Sequence, residues 1–587
     1  MYLEKISSPS DVKRLGINEL TELCREVRTA LLQKLSDHGG HIGPNLGMVE
    51  ATVALHYVFN SPEDKIVFDV SHQSYAHKML TGRKEGFLSP AHYDDVSGYS
   101  EPGESPHDHF VIGHTSTSIS LALGLAKGRD VVGGTENVVA VIGDGSLSGG
   151  EALEGLNVAR EVNSNLIIVV NDNQMSIAEN HGGLYPALQR LRESKGESPD
   201  NLFRAMDLDY VYVDEGNNVA ALIEAFSKVK DTTQPVVVHI NTLKGKGYRF
   251  AEEQKERFHW GFPFTLATGE TKPEYVDGET YGTLTADLLL REMKADKSVV
   301  AITAGTPTVM GFTADKRKEA GRQFVDVGIA EETAVALASG MAKRGAKPVF
   351  GVYSTFIQRT YDQLSQDLCI NNNPATILVF AGTLTGLNDV THLGFFDIAL
   401  LANIPNLVCL APTSRKEYEA MTHWAIHQTE RPVAIRVPGN GIVDDGREVQ
   451  TDYSVLNQYK VEKEGKDVAI LGLGAYYQKA EEVAALLSAK GLCPTLINPR
   501  FYSGVDADLL TRLKANHRLF VTLEDGVLSG GWGEKIAWFF STDADVRVLC
   551  KGAEKAFADR FDYTEFLSAN RLLAPQIAED ILAVLGE

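Results

Sequence analysis

Cysteine is scarce. Cys24, Cys369, Cys409, Cys493 and Cys550 are the five thiols in 587 residues, odd in number, far apart and without a CxxC pair. No disulfide framework or zinc site is expected from them, and a reducing cytoplasm is the natural setting. Long apolar runs are also missing. No stretch approaches the roughly 18 uncharged residues of a membrane span, and the opening MYLEKISSPSDVKRLG lacks the apolar core of a signal peptide. Positive charge is in deficit: Lys plus Arg is 56 against 78 for Asp plus Glu, a net charge of −22. A surface this acidic repels nucleic-acid backbones and anionic lipid, so neither is expected as a partner. A local basic pocket for a phosphorylated small molecule remains compatible with it.

What is present is an α/β pattern. Hydrophobic residues make up 43% and charged residues 23%, the balance of a globular chain long enough for three or four domains of about 100–200 residues. KIVFDV (65–70), VVAVIG (138–143), LIIVVN (166–171) and PVVVHI (235–240) read as buried strands. Leu20, Leu23, Val27, Leu31 and Leu35 predict a helix over 18–36 that stops at Gly39-Gly40. Strands separated by helices imply parallel sheets with right-handed crossovers. Polar stretches at 269–284 and 440–452 read as linkers. They flank a second series at 299–303, 323–328, 348–353, 376–380, 407–412 and 433–437, and precede a third at 467–474, 495–499, 519–525 and 546–550. Three α/β domains follow, over 1–275, 276–445 and 446–587.

The chemistry concentrates where two apolar strands end in polar turns. One ends in Gly143-Asp144-Gly145, the other in Asn171-Asp172-Asn173, with Asn173 standing 29 positions after Asp144. In a parallel sheet both ends emerge on the edge where ligands of open α/β folds sit. Asp144 and Asn173 are hard oxygen donors suited to Mg²⁺ or Ca²⁺. Gly143 and Gly145 let the backbone approach a phosphate, and the following helix offers free N–H groups. Taken alone, GDG is more often a simple turn; the second strand end at this spacing makes the functional reading the stronger one. Gly472 and Gly474 also follow a strand, but no third glycine completes a dinucleotide fingerprint.

The GDG and NDN pair resembles the thiamine diphosphate motif. The resemblance implies a Mg²⁺ held by Asp144, Asn173 and the main-chain carbonyl of Met175, bridging a diphosphate beside Gly143, Gly145 and Ser146. GGHIGPNLGMVEATVALHYVFN (39–60), FDVSHQSYAHKMLTGR (68–83), GHTSTSISLALGLAKGRD (113–130) and YSTFIQRTYDQ (353–363) are similar to the 1-deoxy-D-xylulose-5-phosphate synthase family of the transketolase superfamily, along nearly the whole chain. That family implies three parallel-sheet domains of the transketolase type. The first binds the diphosphate and metal, the second the aminopyrimidine, and the third is a smaller C-terminal domain. It also implies a cytoplasmic homodimer acting in isoprenoid-precursor biosynthesis on a 2-ketoacid or ketose donor and an aldehyde acceptor.

Carried over residue by residue, the resemblance makes Glu331 the catalytic carboxyl at the cofactor's N1′ atom. His41 and His72 become proton carriers near the thiazolium and substrate, and Gly113, His114 and Thr115 part of the segment around the diphosphate. His259 lies beside the cofactor, Tyr353 and Phe356 beside the aminopyrimidine. Tyr353, Arg359, Asn388 and His392 fall at the substrate, His392 also as a catalytic group. A lone histidine is more often structural than catalytic, and His77 stays open between the two. Lys244 and Lys246 read as solvated charges with a weaker claim on the diphosphate.

The departures concern substrate. The family's "DRAG" arginine is Ala381 here and a family aspartate is Asn388. "YPRGN" is reduced to Val437-Pro438-Gly439-Asn440, and an arginine before GES is Pro102. "AEQH" is AEET, with Glu332 and Thr333. Each charge-assisted bond to a phosphate is worth roughly 1.5–3 kcal/mol, so losing two would cost about 10²–10⁴ in affinity. Conserved cofactor chemistry with a changed acceptor is the leading expectation. Ketol transfer between sugars of the transketolase kind, or a catalytically silent paralogue, are the alternatives.

Overall fold

The computed structural model describes residues 1–276, 278–384 and 389–586. The chain divides into two compact units, Met1–Asp277 with Gly328–Ala330, and Gly278–Val327 with Glu331–Glu587.

The first unit is built on five parallel strands, β1 (Lys65–Phe68), β2 (Val138–Gly143), β3 (Leu166–Asp172), β4 (Asp209–Val213) and β5 (Pro235–Asn241), in the order β1-β2-β3-β5-β4. Both faces are covered, which is why β2, β3 and β5 read as unbroken apolar runs. Val139, Val141, Ile167 and Val169 share a core with helices α1 (Ile17–His38) and α2 (Val49–Val58). The alternate residues Val138, Ala140, Ile168 and Val170 meet α3 (Ser118–Val132) and α4 (Gly150–Val162) on the other face. The predicted first helix forms and extends to His38, where Gly39 at φ 82° ends it; a side chain there would strike the Gly261 carbonyl at 2.7 Å. Strand β4 (DYVYV) escapes the sequence reading, because as an edge strand it is only half-buried and carries no continuous apolar run.

The second unit contains two sheets. In the order β10-β11-β9-β8-β6-β7, the six parallel strands are β6 (Val299–Thr303), β7 (Phe324–Asp326), β8 (Lys347–Tyr353), β9 (Thr376–Phe380), β10 (Val408–Leu410) and β11 (Val433–Arg436). Helices α5 (Tyr281–Ala295), α6 (Glu331–Lys343) and α7 (Arg415–His427) flank them. The other sheet has five strands, β12 (Lys460–Lys463), β13 (Asp467–Gly472), β14 (Thr495–Asn498), β15 (His517–Val527) and β16 (Arg547–Ala553), in the order β12-β14-β13-β15-β16. It departs from the all-parallel expectation, because β12 runs antiparallel to β14. β12 is a polar edge strand (KVEK), and no crossover helix separates it from β13, so nothing forces it into the parallel direction. The two sheets share one core that includes Ile302, Phe350, Ile377, Leu471, Ile497 and Trp532.

Candidate active site

In the first unit, β2 and β3 lie side by side with Gly143 opposite Asn171, so the turns that follow them open at one sheet edge. Asp144 begins the short helix Asp144–Leu147 and is buried. Asn180 Nδ2 donates to its Oδ2 at 2.7 Å, and the Asn173 backbone N–H points at its Oδ1 from 3.4 Å. Burial, reinforced by the neighbouring Asp172, pushes the Asp144 carboxyl above its ordinary range. Burial works against ionisation of Asp172 too, yet its bonds from His239 (2.9 Å) and Arg192 (2.5 Å) hold that carboxyl below the usual range.

The residues fit a magnesium-bound diphosphate. A buried carboxylate calls for a cation. Asn173 Oδ1 is buried without a hydrogen-bond partner among the described residues, and it is the hard oxygen that such an ion takes. Among the described residues, and apart from its chain neighbours, nothing stands within 4 Å of where a Cβ on Gly143 would project, so the strand end is open. Gly145, by contrast, is pressed against Ser176, whose Oγ would lie 2.8 Å from a Cβ. Gln174, at φ 64°, turns the chain immediately ahead of Met175.

The segment containing Gly113, His114 and Thr115 runs into α3 and is fixed to the same edge. Asp69, directly after β1, accepts from the Ser116 and Ser118 N–H groups at 2.8 and 2.9 Å, and Ser116 Oγ donates to the Ser146 carbonyl at 2.8 Å.

His41, His72 and His259 converge. Ring centroids are 5.0 Å apart for His41 and His72, 5.7 Å for His41 and His259, and 5.4 Å for His72 and His259, the last pair stacked. Asn45 ties two of these loops together: its Nδ2 donates to the carbonyls of His41 (2.8 Å) and His72 (2.7 Å). The approach to His72 is strained. Val70 and Ser71 both take the left-handed conformation, at φ 58° and 62°, uncommon for any side chain and an outlier for a β-branched one. Ser71 Oγ holds the turn by donating to the Ile112 carbonyl (2.6 Å) and accepting from Ser100 N–H (2.7 Å). Burial drives the His259 imidazole well below its ordinary range, and Lys244 adds to this. Lys244 Nζ lies 3.0 Å from His259 Nδ1 and donates to the Ser176 carbonyl at 2.5 Å; burial lowers the ammonium to about 7. Lys246 is half-buried in the next turn. His77 is structural: it is buried between His56 (2.9 Å) and Asp108 (2.8 Å), and Arg83 is bonded to the same carboxylate.

In the second unit, Glu331 is the first residue of α6 and is 4% exposed. Its Oε2 has no hydrogen-bond partner among the described residues. Burial pushes the carboxyl up to about 7, although the Arg359 guanidinium pulls in the opposite direction. Tyr353 closes β8. Phe356 lies edge-on to it at 5.8 Å and edge-on to His392 at 5.7 Å. The two segments are joined by Ser354 Oγ to the Gly394 carbonyl (2.8 Å) and Thr355 Oγ1 to the Thr391 carbonyl (3.3 Å). His392 Nδ1 bonds Thr391 Oγ1 at 2.8 Å, with Asp389 at 3.6 Å. Asn388 lies outside the described residues. Ala381, where the arginine of the family motif was expected, adopts φ 54° immediately after β9. Arg436 does not replace that arginine, being buried and committed to Asp397 (2.8 Å) and the Asp525 carbonyl (2.5 Å).

Sequence reasoning passed over Asn45, Asp69 and Asn180, and gave Lys244 too little weight. Asn45 and Asp69 sit inside the motifs already singled out. Their roles are hydrogen bonds to backbone atoms of distant loops, which a linear pattern does not display.

Three stretches match known protein families: residues 3–198 match 1-deoxy-D-xylulose-5-phosphate synthase, residues 278–441 the transketolase pyrimidine-binding domain, and residues 457–566 the transketolase C-terminal domain. A 1-deoxy-D-xylulose-5-phosphate synthase of Symbiobacterium thermophilum is 38% identical over 622 residues, covering 100% of this chain and 95% of the relative. The enzyme of the same name from Carboxydothermus hydrogenoformans is 40% identical over 580 residues, covering 92% of each. A solved transketolase from Campylobacter jejuni aligns with 97% of this chain and 100% of its own at 15% identity and a TM-score of 0.45. Identity of this extent along the full length establishes kinship: the chain belongs to the 1-deoxy-D-xylulose-5-phosphate synthase family of thiamine-diphosphate-dependent, transketolase-type transferases.

Proposed function

We propose that the protein releases CO₂ from pyruvate and joins the remaining two-carbon unit to an aldehyde that need not carry a phosphate. Thiamine diphosphate, when bound, supplies the carbanion-equivalent chemistry that allows a carbon–carbon bond at a carbonyl to be broken and remade. Asp144, Asn173 and the Met175 carbonyl would hold Mg²⁺, and Gly143, Gly145, Ser146, Gly113, His114 and Thr115 would surround the diphosphate. Lys244 would add positive charge there.

The observation that carries the reading is the Glu331 carboxyl, buried, with one oxygen unpartnered among the described residues and pushed by burial up to about 7. Such a group both holds and releases a proton near neutrality, which is what the cofactor's N1′ atom requires. Phe356 and Tyr353 would pack against the aminopyrimidine. His41 and His72 would move protons and donate to oxygens that gain charge during the reaction, with His259 kept neutral as a hydrogen-bond partner. His392 and Arg359 remain for the substrate, together with Asn388. The working form would be a cytoplasmic homodimer, in keeping with five cysteines that are all free.

The missing arginines support the altered acceptor: Ala381, Pro102 and Pro438 supply no charge, and Arg436 is engaged in the core. Steady-state kinetics with pyruvate tests this. Glyceraldehyde and its 3-phosphate should give kcat/KM values within about tenfold of each other, whereas two phosphate-binding arginines would separate them by about 10²–10⁴. A micromolar KM for the phosphorylated aldehyde, with a preference in that larger range, overturns the altered acceptor. Failure to release CO₂ from pyruvate with any aldehyde overturns the reaction itself.

A further inference from the structure

Outside the candidate active site, one cluster among the described residues gathers metal-binding side chains from two helices. His423 and His427 are four residues apart on α7 and therefore share a face; their rings lie 4.4 Å apart. Glu292 on α5 reaches both: Oε1 is 2.8 Å from His423 Nδ1 and Oε2 is 2.9 Å from His427 Nε2. One ligand atom from each residue lies within 4.8 Å of the other two. The carboxylate is largely covered, with 12% of its side chain exposed, while the imidazoles are 59% and 36% exposed and open to an incoming ion.

We propose that Glu292, His423 and His427 form a surface site for a divalent transition metal, with Zn²⁺ the best match, that clips α5 to α7. Two imidazoles and one carboxylate favour zinc, nickel or copper over magnesium, which takes oxygen donors. Zinc bonds of about 2.0–2.2 Å in a tetrahedron place ligand atoms about 3.3 Å apart. The present contacts would open by roughly half an ångström, which side-chain rotation supplies. Three protein ligands leave the fourth position to water. Lys347 is the charged neighbour to account for: its Nζ is 3.1 Å from His427 Nδ1 and 2.9 Å from Asp296. With metal on Nε2, Nδ1 carries a proton, so the lysine gives up that contact and keeps Asp296. In the metal-free chain a neutral His427 accepts from Lys347 at Nδ1 and donates from Nε2 to Glu292, so an incoming metal has to displace this network.

The test uses the holoenzyme saturated with thiamine diphosphate and Mg²⁺, titrated with Zn²⁺ by calorimetry and with Co²⁺ by visible absorption. The wild-type chain should take up one Zn²⁺ beyond the cofactor metal with a micromolar or tighter Kd and show ligand-field bands with Co²⁺. His423→Ala and Glu292→Gln should each weaken Zn²⁺ uptake by at least about tenfold, or 1.4 kcal/mol. Zn²⁺ should raise the thermal midpoint of the wild type and leave that of both variants unchanged. Uptake unaffected by the substitutions, or no uptake by the wild type at about 100 μM Zn²⁺, overturns the proposal.

Discussion

Replacing Glu331 by glutamine separates its proton chemistry from its packing. Glutamine keeps the volume and the polar end, and removes the ionisable group. In the folded chain the carboxyl titrates at about 7, against 4.5 for an ordinary glutamate. A carboxyl raised in the folded state favours folding below 4.5, and that contribution is lost as pH rises through 7. Above that range the ionised side chain costs about 3 kcal/mol relative to a neutral one, at 1.36 kcal/mol per tenfold. Cofactor-free Glu331→Gln should therefore be more stable than the wild type by about 3 kcal/mol at about pH 8. The gain falls to about 1.4 kcal/mol near pH 5.5 and to almost nothing below pH 4.5. Scanning calorimetry after removal of metal and cofactor reads this as a midpoint increase of about 5 °C in the melting of the second unit at the higher pH, at about 1.6 °C per kcal/mol for roughly 300 residues. The same substitution should lower turnover by about 10²–10⁴, the usual worth of a positioned acid–base group. A midpoint gain that fails to grow between about pH 5.5 and 8 refutes the raised carboxyl, and turnover within about threefold of wild type refutes its role.

Three other substitutions probe the Asp144 turn and the histidine cluster of the first unit and the core of the second. Asp144→Asn should fold, since it removes a buried charge, but should weaken Mg²⁺-dependent uptake of thiamine diphosphate by about 100-fold in calorimetry, the worth of one charged ligand. Asn45→Ala leaves the carbonyls of His41 and His72 without their side-chain donor. It should cost about 1–3 kcal/mol per carbonyl in urea unfolding and lower kcat more than it raises KM, because the histidines lose their spacing. Arg436→Met removes the guanidinium that neutralises buried Asp397 and Asp525, and should cost about 3–5 kcal/mol in the unfolding of the second unit, measured by denaturant titration.

The legible parts of this fold are those in which burial on both faces leaves a one-dimensional trace. Strands β2, β3 and β5 are apolar at nearly every position and were readable as they stand, and the Asp144 and Asn173 turns could be placed because each follows such a run. Strands β4 and β12 left no trace, since half-buried edges tolerate Asp209, Lys460 and Glu462. QFVDVG pointed to a strand over 323–328, and only Phe324–Asp326 pairs, at the sheet edge beside β6. The site divides in the same way. Glu331 at a helix start, His41 between glycines and His72 after a strand end were visible. Asn45, Asp69 and Lys244 act across 27 to 49 positions or from a buried stem, and only the folded chain brings them to their partners.

The paired left-handed residues before His72 set two selective demands against each other. Val70 gives up about 1–2 kcal/mol to a conformation that glycine would adopt freely. Glycine there would relieve that strain, yet it would give up a partly buried valyl side chain and add about 0.5–1 kcal/mol of unfolded-chain entropy, so little stability is gained while the imidazole beyond it is held less firmly. Val70→Gly should therefore leave the thermal midpoint nearly unchanged and slow turnover.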